Sequence, residues 1–388
     1  MKIALGFLLL LVSSILGHGS TDANQEPRKL PDTLLVSPDG HLPPITLTHE
    51  VIFDPSVSNL FALPVDVAIG PNLRQYHVDA GPKDVKVLTE NGEHLFSITG
   101  PGHEGRRFIE PSMVAISADG KLCVYDGGPH RLEVFATSGE YLYSLSLTDM
   151  GDDFEMRDLL FLDNAVLAVA GLSLEPEYYG YAIHIFEIIG SGNFRHLSHL
   201  RSIAETPWVE PAVYHTVTGG RISLDQDGLF LYNQRAPYGL RKLGMDGTVI
   251  WAIDDEATIP PATAFFGVTR EGRIQVRYFP YSSSLFSIDE DLYLHAMVFP
   301  PEGYAGSESP FPRGTPLRSQ FEVIGFRQGE VLRRTFEVEE PITYVTQDKE
   351  GRLYGELRRE ERILIKSTIE VGRCSRATPA TASKDEVK

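Results

Sequence analysis

Two cysteines in 388 residues are too few for a disulfide framework to hold the fold. Positive charge is scarce as well. Only 35 Lys and Arg face 53 Asp and Glu, a formal net charge of −18. That balance argues against a nucleic-acid surface, because phosphate binding needs clustered Lys and Arg. Beyond residue 16 no apolar run reaches the ~18–20 residues of a bilayer span. Helical periods sustained over ten or more residues are few. What remains is 42% hydrophobic and 23% charged, a globular composition with enough apolar mass for one large core or two ordinary ones.

The one long apolar stretch lies at the start, in MKIALGFLLLLVSSILGHGS. Lys2 provides a positive head, Ile3 to Leu16 an apolar segment, and Gly17 and Gly19 the small residues before a cut at Ser20. This is the layout of a secretory signal, with an uncleaved N-terminal anchor as the rival reading. The expected organisation is a signal over residues 1–19, a proline-dotted linker over 20–41, a folded body over 42–372 and a disordered tail over 373–388. Export to a periplasmic or extracellular space follows from it. Cys123, in the strand-like run KLCVYD, reads as a buried small hydrophobe. Whether it meets Cys374 is open.

The body is a succession of short alternating runs separated by turns. Residues 65–98 and 112–147 match element for element. In each, one strand leads by a small turn to a second that ends in Asp, at Asp79 and Asp126. A Gly-containing turn with a basic residue follows, then a third strand, a Gly turn at Gly92 or Gly139, and a fourth strand. Looser copies place first turns near Asn164, Gly228, Gly272 and Gly351, and later turns at Gly192, Gly247 and Gly329. From Asn72 to Gly272 the first turns recur at steps of 48, 44, 64 and 44 residues, against the roughly 40–50 residues of a four-stranded propeller blade.

The second copy resembles an NHL repeat in its VAIS, DGKLCVYD, RLEVF and GEYL segments. The chain is similar to the six-bladed propellers of exported bacterial proteins, and GPGHEGRRFIEP (100–111) looks like their inter-blade linker. The resemblance implies an all-β fold, a β-propeller of six blades with four antiparallel strands each. Residues 262–338 depart from the pattern, so seven blades is the alternative count, and LFSIDEDLYLHAMVF reads either as blade strands or as an added hairpin. The last unit, 342–371, offers only three strands. Ile45 to Phe53 is the candidate for the outer fourth strand that closes the ring.

Motifs for chemistry are mostly incomplete. Gly100, Gly102 and Gly105 match G-x-G-x-x-G but are flanked by strands, so no helix N-terminus is available for a pyrophosphate. His196 and His199 have H-x-x-H spacing beside an apparent strand end and read as a surface pair rather than a metal site. Asp225-Gln226-Asp227-Gly228 opens like a calcium loop but lacks the later ligands, so a hairpin turn is expected. Asp79 and Asp126 either contribute to a polar ring at a channel mouth or simply close their turns. His77, His130 and Arg131 complete the candidate binding set. The Tyr178, Tyr179, Tyr181 cluster is either a binding loop or packing over a blade edge.

No catalytic residue, metal ligand set or cofactor is expected from these patterns. The expected function is an exported, non-catalytic binding scaffold for a protein, peptide or glycan. The alternative is a metal-dependent hydrolase or lyase with its site at the channel mouth, whose ligands come from several blades.

Overall fold

The computed structural model describes residues 30–37, 41–56, 58–101, 107–148, 154–173, 178, 180–190, 193–201, 220–234, 239–253, 265–268, 274–277, 283–299, 317–338, 340–358 and 362–373. The signal, nearly all of the tail, Cys374, Tyr179, Gly192, Gly272 and most of the G-x-G-x-x-G match lie outside them.

Six antiparallel sheets of at least four strands follow one another along the chain, so the fold is an all-β, six-bladed propeller. Blade 1 comprises Pro64–Ile69, Gln75–Asp79, Asp84–Leu88 and His94–Ile98. Blade 2 comprises Pro111–Ile116, Lys121–Asp126, Arg131–Ala136 and Tyr141–Ser146. Blade 3 comprises Glu155–Phe161, Val166–Leu172, Tyr181–Ile189 and Asn193–Arg201. Blade 4 comprises Gly220–Leu224, Phe230–Gln234, Gly239–Leu243 and Val249–Ile253. Blade 5 comprises Ser283–Asp289, Leu292–Phe299, Arg318–Arg327 and Glu330–Val338. Blade 6 is built from Ile342–Gln347, Leu353–Arg358 and Arg362–Val371, completed from the N-terminal side.

The departures from the repeat now have an explanation. LFSIDEDLYLHAMVF supplies the first two strands of blade 5, which turn at Asp289–Leu292 without a glycine. The expected first turn at Gly272 lies outside the described residues; on either side of it Phe265–Val268 pairs with Ile274–Arg277 as a separate two-stranded sheet between blades 4 and 5. Among the described residues this segment forms no seventh blade. Where the repeat is regular, backbone demands agree with sequence: Gly120 turns at φ 87° and Gly139 at 86°, a region open to glycine at no steric cost.

The core lies between blades. A middle strand such as Gln75–Asp79 is buried along its whole length, because its two faces pack on different neighbouring blades. Blades 1 and 2 share Val78, Val87, Phe108, Leu122, Val124 and Phe135. Burial on both faces extends to the polar residues of middle strands such as Asp84–Leu88 (DVKVL), whereas the outer strand His94–Ile98 is exposed at its first two residues and buried only at Ile98. Cys123 is a free thiol in such a face, fully buried, and burial raises its pKa.

Ile45–Phe53 pairs antiparallel with Arg362–Val371, from Ile45↔Val371 to Phe53↔Leu364, and closes the ring as the repeat arithmetic anticipated. One correction concerns the linker. Within 20–41, Thr33–Leu35 forms a fifth strand of blade 6, paired to Leu47–Ile45. Leu30, Leu35 and Leu42 are buried in the blade 5–blade 6 core, which is why this polar stretch is held down. Three apolar residues dispersed among prolines and charges give too short a pattern to read as a strand.

Candidate functional site

The first strand of every blade contributes to a cavity of about 830 Å³ around the propeller axis. It extends from Asp66 and Asp158, near the starts of their strands, to the turns that follow the strands, at Asp225 and Gln226 in blade 4 and Lys349 and Glu350 in blade 6.

The two carboxylates occupy the same place in their blades. Each first strand of blades 1–3 has a register irregularity near its start, at Pro64/Asp66, Pro111/Met113 and Met156/Asp158. The bulge re-aims the residue that follows it. Asp66 Oδ2 accepts the N–H of Val114 from blade 2 at 2.8 Å, and Asp158 Oδ2 accepts the N–H of Ile222 from blade 4 at 3.0 Å. Further round, Ser223 donates to Leu285 O at 2.5 Å and Ser284 to Tyr344 O at 2.9 Å. Polar side chains of the first strands thus link neighbouring blades along the channel wall.

Desolvation dominates the electrostatics of Asp66 and raises its pKa to about 7. Arg221 lowers it, Asp158 raises it further, and the N–H bonds from Val114 and Val67 lower it. A carboxyl that titrates near neutrality beside a second carboxylate and a guanidinium is able to bind a cationic or hydrogen-bonding group and to exchange a proton. The sequence reading missed all three residues. For Asp66 the signal was a polar residue at the third position of an otherwise apolar first strand (PVDVAI); Asp158 and Arg221 lie in strands already carrying polar residues (EMRDLLF, GRISL).

The sequence candidates are placed elsewhere. Asp79 is buried and accepts N–H groups from Ala62 at 2.8 Å, Leu63 at 2.7 Å and Gly81 at 3.2 Å. Asp126 does the same for Ile109 at 2.9 Å and Glu110 at 2.5 Å. Each carboxylate fastens the segment that leads into its own blade, so the matching positions share a structural task. His77 is buried with Nε2 2.9 Å from Gln75 Oε1 and its ring edge-on to Phe61, and burial holds its pKa down at about 3. His130, at φ 50°, is the turn equivalent of Lys83, at φ 61°, and stands 3.4 Å from Tyr125 Oη through Nδ1. Arg131 is exposed at the start of the next strand. None of these five side chains lines the cavity.

Two other expectations can be compared with the structure. Asp225 closes a hairpin, accepting from Asp227 N and Leu229 N, and pairs with buried Lys242 at 2.6 Å. His196 and His199 are not a surface pair: they stack with centroids 5.2 Å apart, half-buried on the outer strand of blade 3. Tyr178 packs over both rings and Tyr181 packs on His199; Tyr179 lies outside the described residues.

No protein-family model matches the sequence, and no curated protein does either. Solved structures do. A member of the DUF4221 family from Bacteroides vulgatus superposes with TM-score 0.52 at 12% identity, over 89% of this chain and all of that one. A Bacteroides fragilis protein, described as a candidate exported protein, gives TM-score 0.52 at 10% identity over 85% and 96%. Virginiamycin B lyase from Staphylococcus aureus superposes more loosely, at TM-score 0.43 and 9% identity over 84% and 99%. The chain is a six-bladed β-propeller that shares its fold with these Bacteroides proteins and is closed by its own N-terminal strand.

Proposed function

We propose that this protein is an exported binding propeller that takes a peptide or glycan group into its central channel. The observation that carries the reading is the channel cavity with Asp66 and Asp158 at its inner end. Small-ligand sites are concave, largely preformed and furnished with a few placed polar groups, and this cavity has those properties. Export is supported by the N-terminal signal pattern and by the likeness to a propeller described as exported. The ligand group that fits is polar and carries a hydrogen-bond donor or positive charge, which the paired carboxylates would accept.

The test is a thermal-shift and calorimetric screen of cationic peptides and amino-sugar oligosaccharides against the full chain. Hits should lose at least about tenfold in affinity in both Asp66→Asn and Asp158→Asn. Hits indifferent to both substitutions would remove the channel from the reading.

A second reading, a hydrolase or lyase in the same channel, is favoured by one observation. A carboxyl with pKa about 7 suits a general base at neutral pH. Turnover of any bound ligand, abolished by Asp66→Asn while binding persists, would select it over simple binding.

A further inference from the structure

The wall of the channel changes character along the axis. Asp66 from blade 1 and Asp158 from blade 3 stand at the inner end. Beyond them every blade adds at least one half-buried apolar side chain to the lining: Ile69, Ile116, Phe161, Leu224, Ile288 and Val345. Ile116, Phe161, Leu224 and Ile288 also pack against the cores between blades, which holds them in place at the cavity surface. Past this belt lie the turns that bring Gln226, Lys349 and Glu350 to the lining.

The charged groups of the two ends differ in their commitments. Near the outer turns they are matched within the protein: Asp225 pairs with Lys242 at 2.6 Å, and Arg352 with Asp348 at 2.7 Å and Glu350 at 3.1 Å. Asp66 serves two backbone N–H groups, those of Val114 and Val67. A carboxylate offers about four acceptor sites, so this side chain keeps room for a further donor. The charges that bear on it are Arg221 and Asp158, so with both carboxyls ionised the inner end carries one negative charge in excess.

Asp66 and Ile69 are three residues apart on a strand, a rise of about 10 Å. A group that reaches the carboxylates from the outer turns therefore lies along the apolar belt. Those six side chains return no hydrogen bonds, so a hydroxylated body loses water there without replacement. An alkyl stem gains from the same burial.

We propose that the group taken into the channel is an aliphatic primary amine, inserted ammonium first, with Asp66 and Asp158 accepting the ammonium and the belt enclosing its carbon stem. The inference rests on the binding reading above and narrows it from any cationic or donor-bearing group to one chemistry. Two sources supply that chemistry: a free alkylamine, and the side chain of a lysine in a peptide, whose methylene stem carries its charge in the same way. An amino sugar is disfavoured, because its amine stands on a ring of hydroxyls.

The experiment is calorimetry of the full chain with propylamine, pentylamine and heptylamine. Affinity should rise about fourfold per added methylene. Heptanol, with the same stem and no charge, should bind at least about tenfold more weakly than heptylamine. Asp66→Asn and Asp158→Asn should each remove most of the difference between amine and alcohol, whereas Ile116→Asn and Leu224→Asn should flatten the dependence on chain length. The series on the parent protein carries the test even if a belt variant fails to fold. A lysine peptide and its norleucine counterpart separate the sources. Preference for lysine assigns the peptide side chain, and indifference to both beside a steep alkylamine series assigns the free amine. Amino-sugar oligosaccharides that bind through Asp66 and Asp158, while alkylamines show no gain with chain length, would overturn the amine and leave the binding reading intact. Absence of binding by alkylamines, cationic peptides and amino sugars alike would overturn both.

Discussion

The imidazole of His49 and the hydroxyl of Ser367, 318 positions apart in the chain, meet at 2.8 Å inside blade 6. Tyr344 Oη donates to the same Ser367 Oγ at 2.9 Å, and His49 Nε2 stands 3.0 Å from Thr33 Oγ1. With Ser367 donating to Nδ1, the proton on Nε2 points to Thr33, so one directional chain crosses four strands of the closing blade. Replacing His49 by Leu leaves Ser367 and Thr33 without that partner. We expect a loss of about 1–3 kcal/mol, read as a lower urea midpoint at unchanged m-value. Burial lowers the His49 pKa, so its contribution is complete above pH 6.5 and declines as pH falls below it.

His77 sharpens the same argument. Its folded pKa of about 3 lies below the 6.5 of the unfolded chain, so the unfolded state binds the proton first on acidification. Stability should fall by up to about 1.4 kcal/mol per pH unit between 6.5 and 3, and be insensitive to this group above 6.5. In His77→Gln the slope of stability against pH over that window should be measurably shallower than in the parent. An identical slope would mean that the ring finds water or a partner once protonated.

Asp66 works in the opposite direction. With a pKa of about 7 in the fold against about 3.9 unfolded, its contribution is present below pH 4 and is lost as pH rises through 7. Asp66→Asn keeps an oxygen for the Val114 N–H and removes the charge. It should therefore stabilise the protein by about 1–3 kcal/mol at pH 8 and change little at pH 4, measured by chemical denaturation at both values. Gained stability with lost ligand affinity is the pattern expected of a group kept for binding rather than for folding.

Gly355 tests the packing of the closing blade. A Cβ there would lie 1.9 Å from Thr343 O on the neighbouring strand, a backbone atom that cannot step aside. Gly355→Ala should cost about 3 kcal/mol or more, or prevent folding. At Gly190, where a Cβ meets nothing within 4 Å and only the φ of 62° is adverse, Ala should cost about 1 kcal/mol. Parallel thermal melts of the two variants rank them.

Much of the fold was legible because its signals are local. Alternation of period two and glycine turns at Gly92, Gly120 and Gly139 defined the first two blades residue by residue. The blade count was harder, because blade 5 turns at Asp289–Leu292 with no glycine and Phe265–Val268 pairs with Ile274–Arg277 as a sheet of its own. The channel was not legible. Asp66 and Asp158 lie on the wall of one cavity only when the blades are wrapped round an axis, whereas Asp79 and Asp126 were conspicuous because the same capping role recurs in blades 1 and 2. The register slip around Leu197 hid the stacking of His196 on His199, since strict alternation sends the two to opposite faces.

The closing of blade 6 by Ile45–Phe53 also fixes an order of events. Ile45–Phe53, made early, pairs with Arg362–Val371, made more than 300 residues later, so the ring stays open until that late strand has been synthesised. Contacts of such long sequence separation form slowly, and until they do two unpaired sheet edges face whatever surrounds the chain. A nascent propeller of this design therefore depends on its surroundings to keep those edges apart from other chains, and its finished sequence supplies the cover itself.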